Sequence, residues 1–408
     1  MILKRCKKNR IKLAVAAVLF IVLAPACPCA AAGGWQDEQS TADMSTRIIE
    51  RQIETSGVNT IKEGLLEYAD DESIELLEGF SADELINNLA GGDIGFDPKG
   101  FADKALKYFF NEIFLNIGIL VKLSALVVIC ALLKNLGSNF NNEGVGEIAF
   151  HACYIMTISV LLAGFGTAVR MGTDIIGRMV GFMYAVIPVI FALLISAGNI
   201  TAGGILHPVL LMVIEASATI IKGFFVPLVF LSTILSIVNN ISEKVQVARM
   251  ASLVKQIVSW SLGLLLTGFV VIILLQGSIG AVIDGAASKA AKFAVSAFVP
   301  VVGKTLADAA DTVLGCTLLV KNAAGSAVMI GILAICIAPM LKIMAMVVLY
   351  KVAGALLEPI SESRITNCIN DVAGSMLQIF AMTAAVAFMF VILVTAIVSA
   401  GNKSAMLR

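Results

Sequence analysis

The feature that most limits the fold is a series of long apolar segments that begins at Ile113 and continues almost to the end of the chain. Hydrophobic residues make up 59% of the 408 residues, and charged residues only 14%. Soluble domains contain roughly 45–50% apolar and about 25% charged residues. Because lipid offers no hydrogen-bond partner to an exposed backbone, the pattern predicts an all-α, polytopic helical membrane protein.

The apolar segments predict seven or eight membrane crossings, within a range of six to nine. Two short neighbours are separated by Lys222 and Gly223, which allows a tight hairpin, a re-entrant pair or one long broken helix. Charges interrupt a further apolar stretch, 279–320, for which an interfacial or re-entrant segment is expected. The predicted spans are 113–133, 149–169, 177–197, 205–221, 223–238, 256–276, 325–350 and 378–399.

The N-terminus has the organisation of a targeting segment. A basic stretch, KRCKKNRIK, precedes twelve apolar residues, Leu13–Ala24, and small residues follow at Ala30, Ala31 and Ala32. Twelve apolar residues are too few to span a bilayer comfortably, so residues 1–32 are interpreted as a signal peptide. An uncleaved membrane anchor is the alternative.

The segment 33–108 differs in composition from the rest of the chain. Residues 33–107 contain 17 of the 29 acidic residues and six basic ones, with helix-capping patterns such as Ser81 to Glu84. We interpret it as an acidic helical segment on the extracytoplasmic side. It serves either as a solvated spacer or as a docking surface for another extracytoplasmic protein.

The spacing of the prolines indicates an internal duplication of the membrane region. The pairs Pro188 with Pro227 and Pro300 with Pro339 have the same separation, which fits the repeats common in transporter-like folds. These four prolines are candidate hinges or helix breaks, and chance similarity between apolar sequences is the competing explanation. The resulting layout is a first helix pair (109–169), half A (170–281), half B (282–400) and a polar tail (401–408).

The stretch after Pro300 contains Gly303-Lys304-Thr305, which resembles the end of a nucleotide-binding P-loop. The required first glycine is replaced by Phe298, so we exclude a nucleotide site. If Pro300 starts a helix, three charges share one face and a threonine widens it. This face, Lys304, Asp308, Asp311 and Thr312, either lines a conduit or belongs to a helix that lies flat on the membrane surface.

Four other ionisable residues fall inside the predicted spans. Lys122 and Glu215 lie deep in their segments, so a buried partner is expected for each. For Lys222 and Lys342 we expect the long side chain to extend to the membrane interface instead.

Sequence patterns typical of enzymes are missing from the chain. HExxH and GxSxG motifs are absent, the two histidines are His151 and His207, and the eight cysteines form no CxxC pair. We therefore predict no catalytic residues, no cofactor and no metal, and we interpret the cysteines in the spans as packing residues. A net charge of zero argues against nucleic acid as a partner.

The stretch FVPVVGKTLADAADTVLGCTLLVKNAAG, residues 298–325, resembles the stage III sporulation protein AE family. The order of signal peptide, acidic segment and polytopic region is also similar to that family. The resemblance implies membership of a mother-cell membrane complex of endospore-forming bacteria. That complex forms a channel or secretion-like conduit to the forespore and sustains late forespore gene expression. It implies partners that include a separate ATPase and a forespore-side membrane protein, and it leaves self-association open.

Two other function classes remain alternatives at this point. A stand-alone secondary transporter for a small solute would also use a repeat and a polar helix. A purely structural membrane anchor would not need the charges at Lys304, Asp308 and Asp311.

Overall fold

The fold was analysed in a computed structural model that describes residues 58–76, 98–139, 143–241, 247–298 and 303–406. Within these ranges the chain forms α-helices and one π-helical turn, with no strand, which confirms the all-α fold class. The predicted signal peptide and much of the acidic segment lie outside the described residues.

The helices are named in chain order. They are α1 Val58–Tyr68, α2 Asp71–Leu76, α3 Pro98–Leu115, α4 Ile117–Asn139, α5 Glu143–Ser196, α6 Ile200–Ile220, a π-helix Ile221–Phe225, α7 Val226–Ile241, α8 Ala248–Phe298, α9 Gly303–Leu357 and α10 Ser363–Met406.

Six helical stretches of the described chain are long and apolar enough to cross a membrane, as expected of a polytopic protein. They are fewer than the predicted segments because neighbouring segments merge. The predicted spans 149–169 and 177–197 are both part of α5. The pair around Lys222 is one helical path with a π-helix in its middle, which matches the broken-helix option.

The centre of the bundle is formed by α5, α9 and α10. In the most apolar stretch of each helix, 67% of the residues are buried in α9 and 56% are buried in both α5 and α10. Large side chains such as Phe165, Phe182, Tyr350 and Phe390 are fully buried there. The described core is therefore filled by packed apolar side chains.

The remaining long helices are peripheral. The corresponding stretches of α3–α4 and α8 are only 17% buried, so most of their apolar surface is available to lipid or to another protein.

Ion pairs show which helix ends lie together. Lys134 at the end of α4 pairs with Glu362 before α10, and Lys255 near the start of α8 lies 3.6 Å from Asp371 of α10.

The prolines singled out by their spacing lie in different settings. Helices α5 and α9 continue through Pro188 and Pro339, whereas Pro227 is the second residue of α7, just after the π-helix. Pro300 lies outside the described residues, and the hinge roles stay predictions. The proposed boundaries 169/170 and 281/282 fall inside α5 and α8, so no described loop separates the two halves there.

Candidate functional site

The most apolar part of the bundle is interrupted by a group of charged side chains around α5. We call this group the polar belt. It consists of Asp70, Glu72, Asp174, Arg178, Glu215, Lys222 and Lys342.

The first part of the belt is built on Arg178. Its Nε lies 2.9 Å from Asp174 Oδ2 one turn earlier, and its Nη1 pairs with Asp70, which lies between α1 and α2. The sequence analysis did not single out these residues. The available signal was the spacing of Arg170, Asp174 and Arg178 by four inside an apolar run, which places them on one face of a helix.

The second part of the belt joins α2 to α9. Lys342 Nζ lies 2.6 Å from Glu72 Oε2, and the Tyr108 hydroxyl donates a hydrogen bond to the same oxygen. Interfacial extension was expected for Lys342, but the structure gives it a carboxylate partner from the acidic segment. The hydrogen bond from Lys342, followed by that from Tyr108, lowers the pKa of Glu72 from its ordinary value.

Glycines allow α1 to pack against the bundle next to these pairs. A Cβ atom at Gly181 would lie 2.6 Å from the Tyr68 ring of α1, and one at Gly64 of α1 would lie 3.3 Å from the Phe182 ring. Ile61 of α1 is buried in the same apolar core. The acidic segment is therefore partly integrated into the membrane bundle, through α1 and α2.

The third part of the belt joins α5 to α6 and the π-helix. The Tyr184 hydroxyl donates to Glu215 Oε2 at 2.8 Å, and Thr219 Oγ1 lies 3.4 Å from Oε1. Glu215 thus has hydrogen-bond partners, but its side chain and that of Tyr184 are exposed, whereas a buried partner was expected. Lys222 extends toward α5, since a Cβ atom at Gly177 would lie 2.9 Å from its Nζ.

Two predicted positions lie apart from the belt. Lys122 is exposed on α4, and among the described residues it has none of the buried partners that were expected. The helix after Pro300 begins at Gly303 and runs without interruption to Leu357. The side chains of Lys304, Asp308 and Asp311 lie outside the described residues, and Thr312 is exposed.

One further cation was missed by sequence reasoning. Lys321 of α9 is fully buried, and its Nζ donates to the Val398 carbonyl at 2.9 Å and to Asn402 Oδ1 at 3.2 Å. Gly401 provides the space for this lysine, because a side chain there would collide with the amine. The only sequence signal was a single lysine inside an apolar run of α9.

The cysteines of the described chain behave as packing residues. Cys130, Cys316, Cys336 and Cys368 are buried and unpaired by disulfides. The described ranges contain no group of three or more histidine, cysteine or acidic residues that could hold a metal ion.

Comparison with known proteins identifies the family. The profile of the stage III sporulation protein AE family matches residues 80–401. The chain belongs to this family. It is 33% identical over 384 residues to the stage III sporulation protein AE of Bacillus subtilis (strain 168), which covers 93% of this chain and 94% of the relative. No solved structure matches the chain.

The family match covers some parts of the belt but not others. The range matched by the family profile includes Arg178, Glu215, Lys222 and Lys342. Asp70 and Glu72 precede its first residue, residue 80. The resemblance seen around residues 298–325 is therefore confirmed, and the protein is a membrane protein of a sporulation family rather than of a named enzyme family.

Proposed function

We propose that this chain is the integral membrane component of a sporulation channel or secretion-like complex that connects the mother cell with the forespore. In this role it sustains late forespore gene expression from the mother-cell membrane around the forespore, with its N-terminal segment extracytoplasmic. The observation that carries the proposal is the match of residues 80–401 to a sporulation family on a fold of six long apolar helices.

The packing of the bundle supports a role as one part of a larger assembly. The described space between α5, α9 and α10 is filled by apolar side chains, which leaves no route along that axis. The peripheral helices α3–α4 and α8 instead present apolar surface outward. A conduit would therefore form between this chain and partners, which include a separate ATPase, a forespore-side membrane protein and other copies of the chain.

The backbone of α9 supports the conduit interpretation of Lys304, Asp308, Asp311 and Thr312. A helix that lay flat on the membrane and then turned into a span would need a break at the turn. Helix α9 has none between Gly303 and Leu357, and its only internal proline is Pro339. The polar face thus continues the axis of a membrane helix.

The proposal can be tested by replacing the Bacillus subtilis relative with this chain. We expect the triple substitution Lys304→Ala, Asp308→Ala and Asp311→Ala to lower the yield of heat-resistant spores while the protein still accumulates. Lys289→Ala, which removes an exposed charge of α8, is the control. Normal sporulation of the triple variant would favour a purely structural anchor.

Cysteine accessibility across residues 300–320 tests the same face directly. With Cys316 replaced, single cysteines should react with a water-soluble maleimide at every third or fourth position. Equal protection of all positions would remove the residue-level support for a conduit.

The alternative function is a stand-alone permease for a small solute. A charged cavity beside a π-helical turn favours it, because such turns inside α-helices occur frequently at functional sites. Solute uptake by the purified chain in liposomes would support the permease, whereas uptake only with co-purified subunits would support the channel complex.

A further inference from the structure

An open cavity of about 380 Å³ lies between α5 and the path formed by α6, the π-helix and α7. Its lining comes from both sides of this junction and includes Gly177, Val180, Glu215, Thr219, Lys222 and Gly223. The volume falls in the range of pockets that hold small molecules.

The cavity contains a cation for which the described part of the chain provides no counter-ion. Among the residues that the structure describes, Lys222 forms no hydrogen bond and no ion pair. Its ammonium group reaches the backbone of α5 because Gly177 has no side chain to block it. An unpaired ammonium in an apolar bundle is costly, so an anionic group from outside the chain would bind favourably.

The same cavity offers a carboxylate at a distance from this cation. Glu215 lies seven residues before Lys222, about 10 Å along the helix axis. Tyr184 and Thr219 hold its two oxygens, which fixes the carboxylate at the cavity wall. A ligand that extends between the two groups therefore meets a cation at one end and an anion at the other.

Lys222 lies on the π-helix, whereas Glu215 lies on α6 before it. The Val226 N–H donates to the Ile221 carbonyl, five residues back, so the turn is wider than an α-helical turn. Gly223 lies on this turn, and a Cβ atom there would meet nothing within 4 Å. Such turns inside α-helices occur frequently at functional sites.

We propose that this cavity binds a small zwitterionic group whose acidic end pairs with Lys222 and whose protonated amine pairs with Glu215. The group is either free in solution or the headgroup of an aminophospholipid. This inference does not rest on the channel assignment, because its test measures binding to the isolated chain.

The test uses the full-length protein in nanodiscs and in detergent. Native mass spectrometry compares retention of phosphatidylethanolamine with that of phosphatidylglycerol, and calorimetry measures binding of free O-phosphoethanolamine. We expect Lys222→Gln and Glu215→Gln each to weaken binding about tenfold or more, since each removes one charge-assisted contact. Lys122→Gln, which removes an exposed lysine of α4, should leave binding unchanged.

Two further variants separate binding from folding. Lys222→Arg keeps the charge and should retain most of the binding. Gly177→Ala keeps both charges but places a methyl group 2.9 Å from the lysine amine, so it should weaken binding without loss of the monodisperse protein.

The outcomes are distinct. Selective retention of the zwitterionic lipid supports a lipid headgroup, and binding of O-phosphoethanolamine supports a free solute. Equal retention of phosphatidylglycerol with no effect of Glu215→Gln would overturn the proposal, because Lys222 would then attract any anion. Absence of binding by all three probes would overturn it as well.

Discussion

Lys342 shows how a charged side chain is accommodated in the apolar part of this bundle. Insertion of a lysine at the centre of a membrane helix costs about 2.5–3.5 kcal/mol on translocon scales. Here the cost is offset by Glu72 of α2 at 2.6 Å, whose carboxylate also accepts a hydrogen bond from Tyr108. The two side chains are 29% and 50% exposed, so solvent weakens the pair. Removal of one partner still leaves the other without its counter-ion, and single substitutions should be more damaging than an exchange of the two charges.

The first prediction uses this pair and a cross-link that reports docking of α1. A Cβ atom at Gly64 would lie 3.9 Å from the Ala185 Cβ atom, a separation that suits a disulfide. Gly64→Cys with Ala185→Cys should therefore cross-link under mild oxidation in membranes. Adding Lys342→Ala should lower the yield several-fold, because α2 loses its ion pair.

The control and the rescue decide the interpretation of that result. Lys122→Ala should not alter the yield, and the exchange of Glu72→Lys with Lys342→Glu should restore much of it. An unchanged yield in Lys342→Ala would contradict a role of this pair in docking.

The second prediction concerns pH. Because the pKa of Glu72 is lowered in the folded protein, its pairing stabilises docking above the ordinary glutamate pKa of about 4.3. This contribution is lost as the pH falls through the lowered value. Spin labels at the exposed positions Leu66→Cys and Ile195→Cys should give an unchanged distance distribution between pH 7 and 5 and a broader one below about pH 4.

The matched variant for the titration is Glu72→Gln. It should show a broader distribution at neutral pH and a smaller change on acidification. The same acid transition in both proteins would assign it to other carboxylates.

At the scale of elements, the main difference from the sequence-based prediction is the fusion of segments into longer helices. The predicted spans 149–169 and 177–197 left the charged residues Arg170 and Asp174 between two helices. The helix continues through them, and Asp174 forms an ion pair with Arg178 one turn later on the same face. The partner from α1–α2 is remote in sequence, so no local pattern could reveal it.

The sequence indicated the residues of the candidate site but not how they pack together. Lys222 and Glu215 were recognisable as polar residues in an apolar run, and the break between two short segments indicated an irregular helix. The register that brings Lys222 against Gly177 depends on how α5 packs, which periodicity does not determine. Lys321 was overlooked because its acceptors, a backbone carbonyl and an amide, lie 77 or more residues away.

The third prediction concerns close contacts between helices. Gly331→Ala places a methyl group 2.7 Å from the buried Phe182 ring, so it should destabilise the protein by about 1–3 kcal/mol. Gly374→Ala in α10 is the control, since a Cβ atom there meets nothing within 4 Å and alanine favours the helix by roughly 0.5–1 kcal/mol. Thermal unfolding in detergent should rank Gly374→Ala at or above the parent and Gly331→Ala below it.

At the scale of the whole molecule, the bundle is longer than a bilayer is thick. Helix α5 has 54 residues, α8 has 51 and α9 has 55. At about 1.5 Å per residue, each is roughly 80 Å long, compared with a hydrocarbon core of about 30 Å. Parts of these helices must therefore extend into water or into contact with other proteins.

The fourth prediction follows from that length. Arg249 and Lys289 are exposed positions of α8 that are 40 residues apart, about 60 Å along the helix. Cysteines at both positions should react with impermeant maleimides, each from one side of the membrane only. The basic residues around Arg249 predict that this position faces the cytoplasm.

A hydrophobic position in the middle of α8 serves as the control. Leu264→Cys should remain unreactive from both sides, although its side chain is 77% exposed on the bundle surface. Labelling of Arg249→Cys and Lys289→Cys from the same side would contradict a single crossing by α8.

The ion pairs of Asp70 and Glu72 show that residues before the family profile are part of the folded membrane bundle. The family profile matches from residue 80, yet the carboxylates that neutralise Arg178 and Lys342 come earlier in the chain. A protein trimmed to residues 80–401 would lose the packing of α1 against α5 and leave Lys342 without Glu72. Anyone who shortens this polypeptide for purification should therefore keep the residues from Val58 onward.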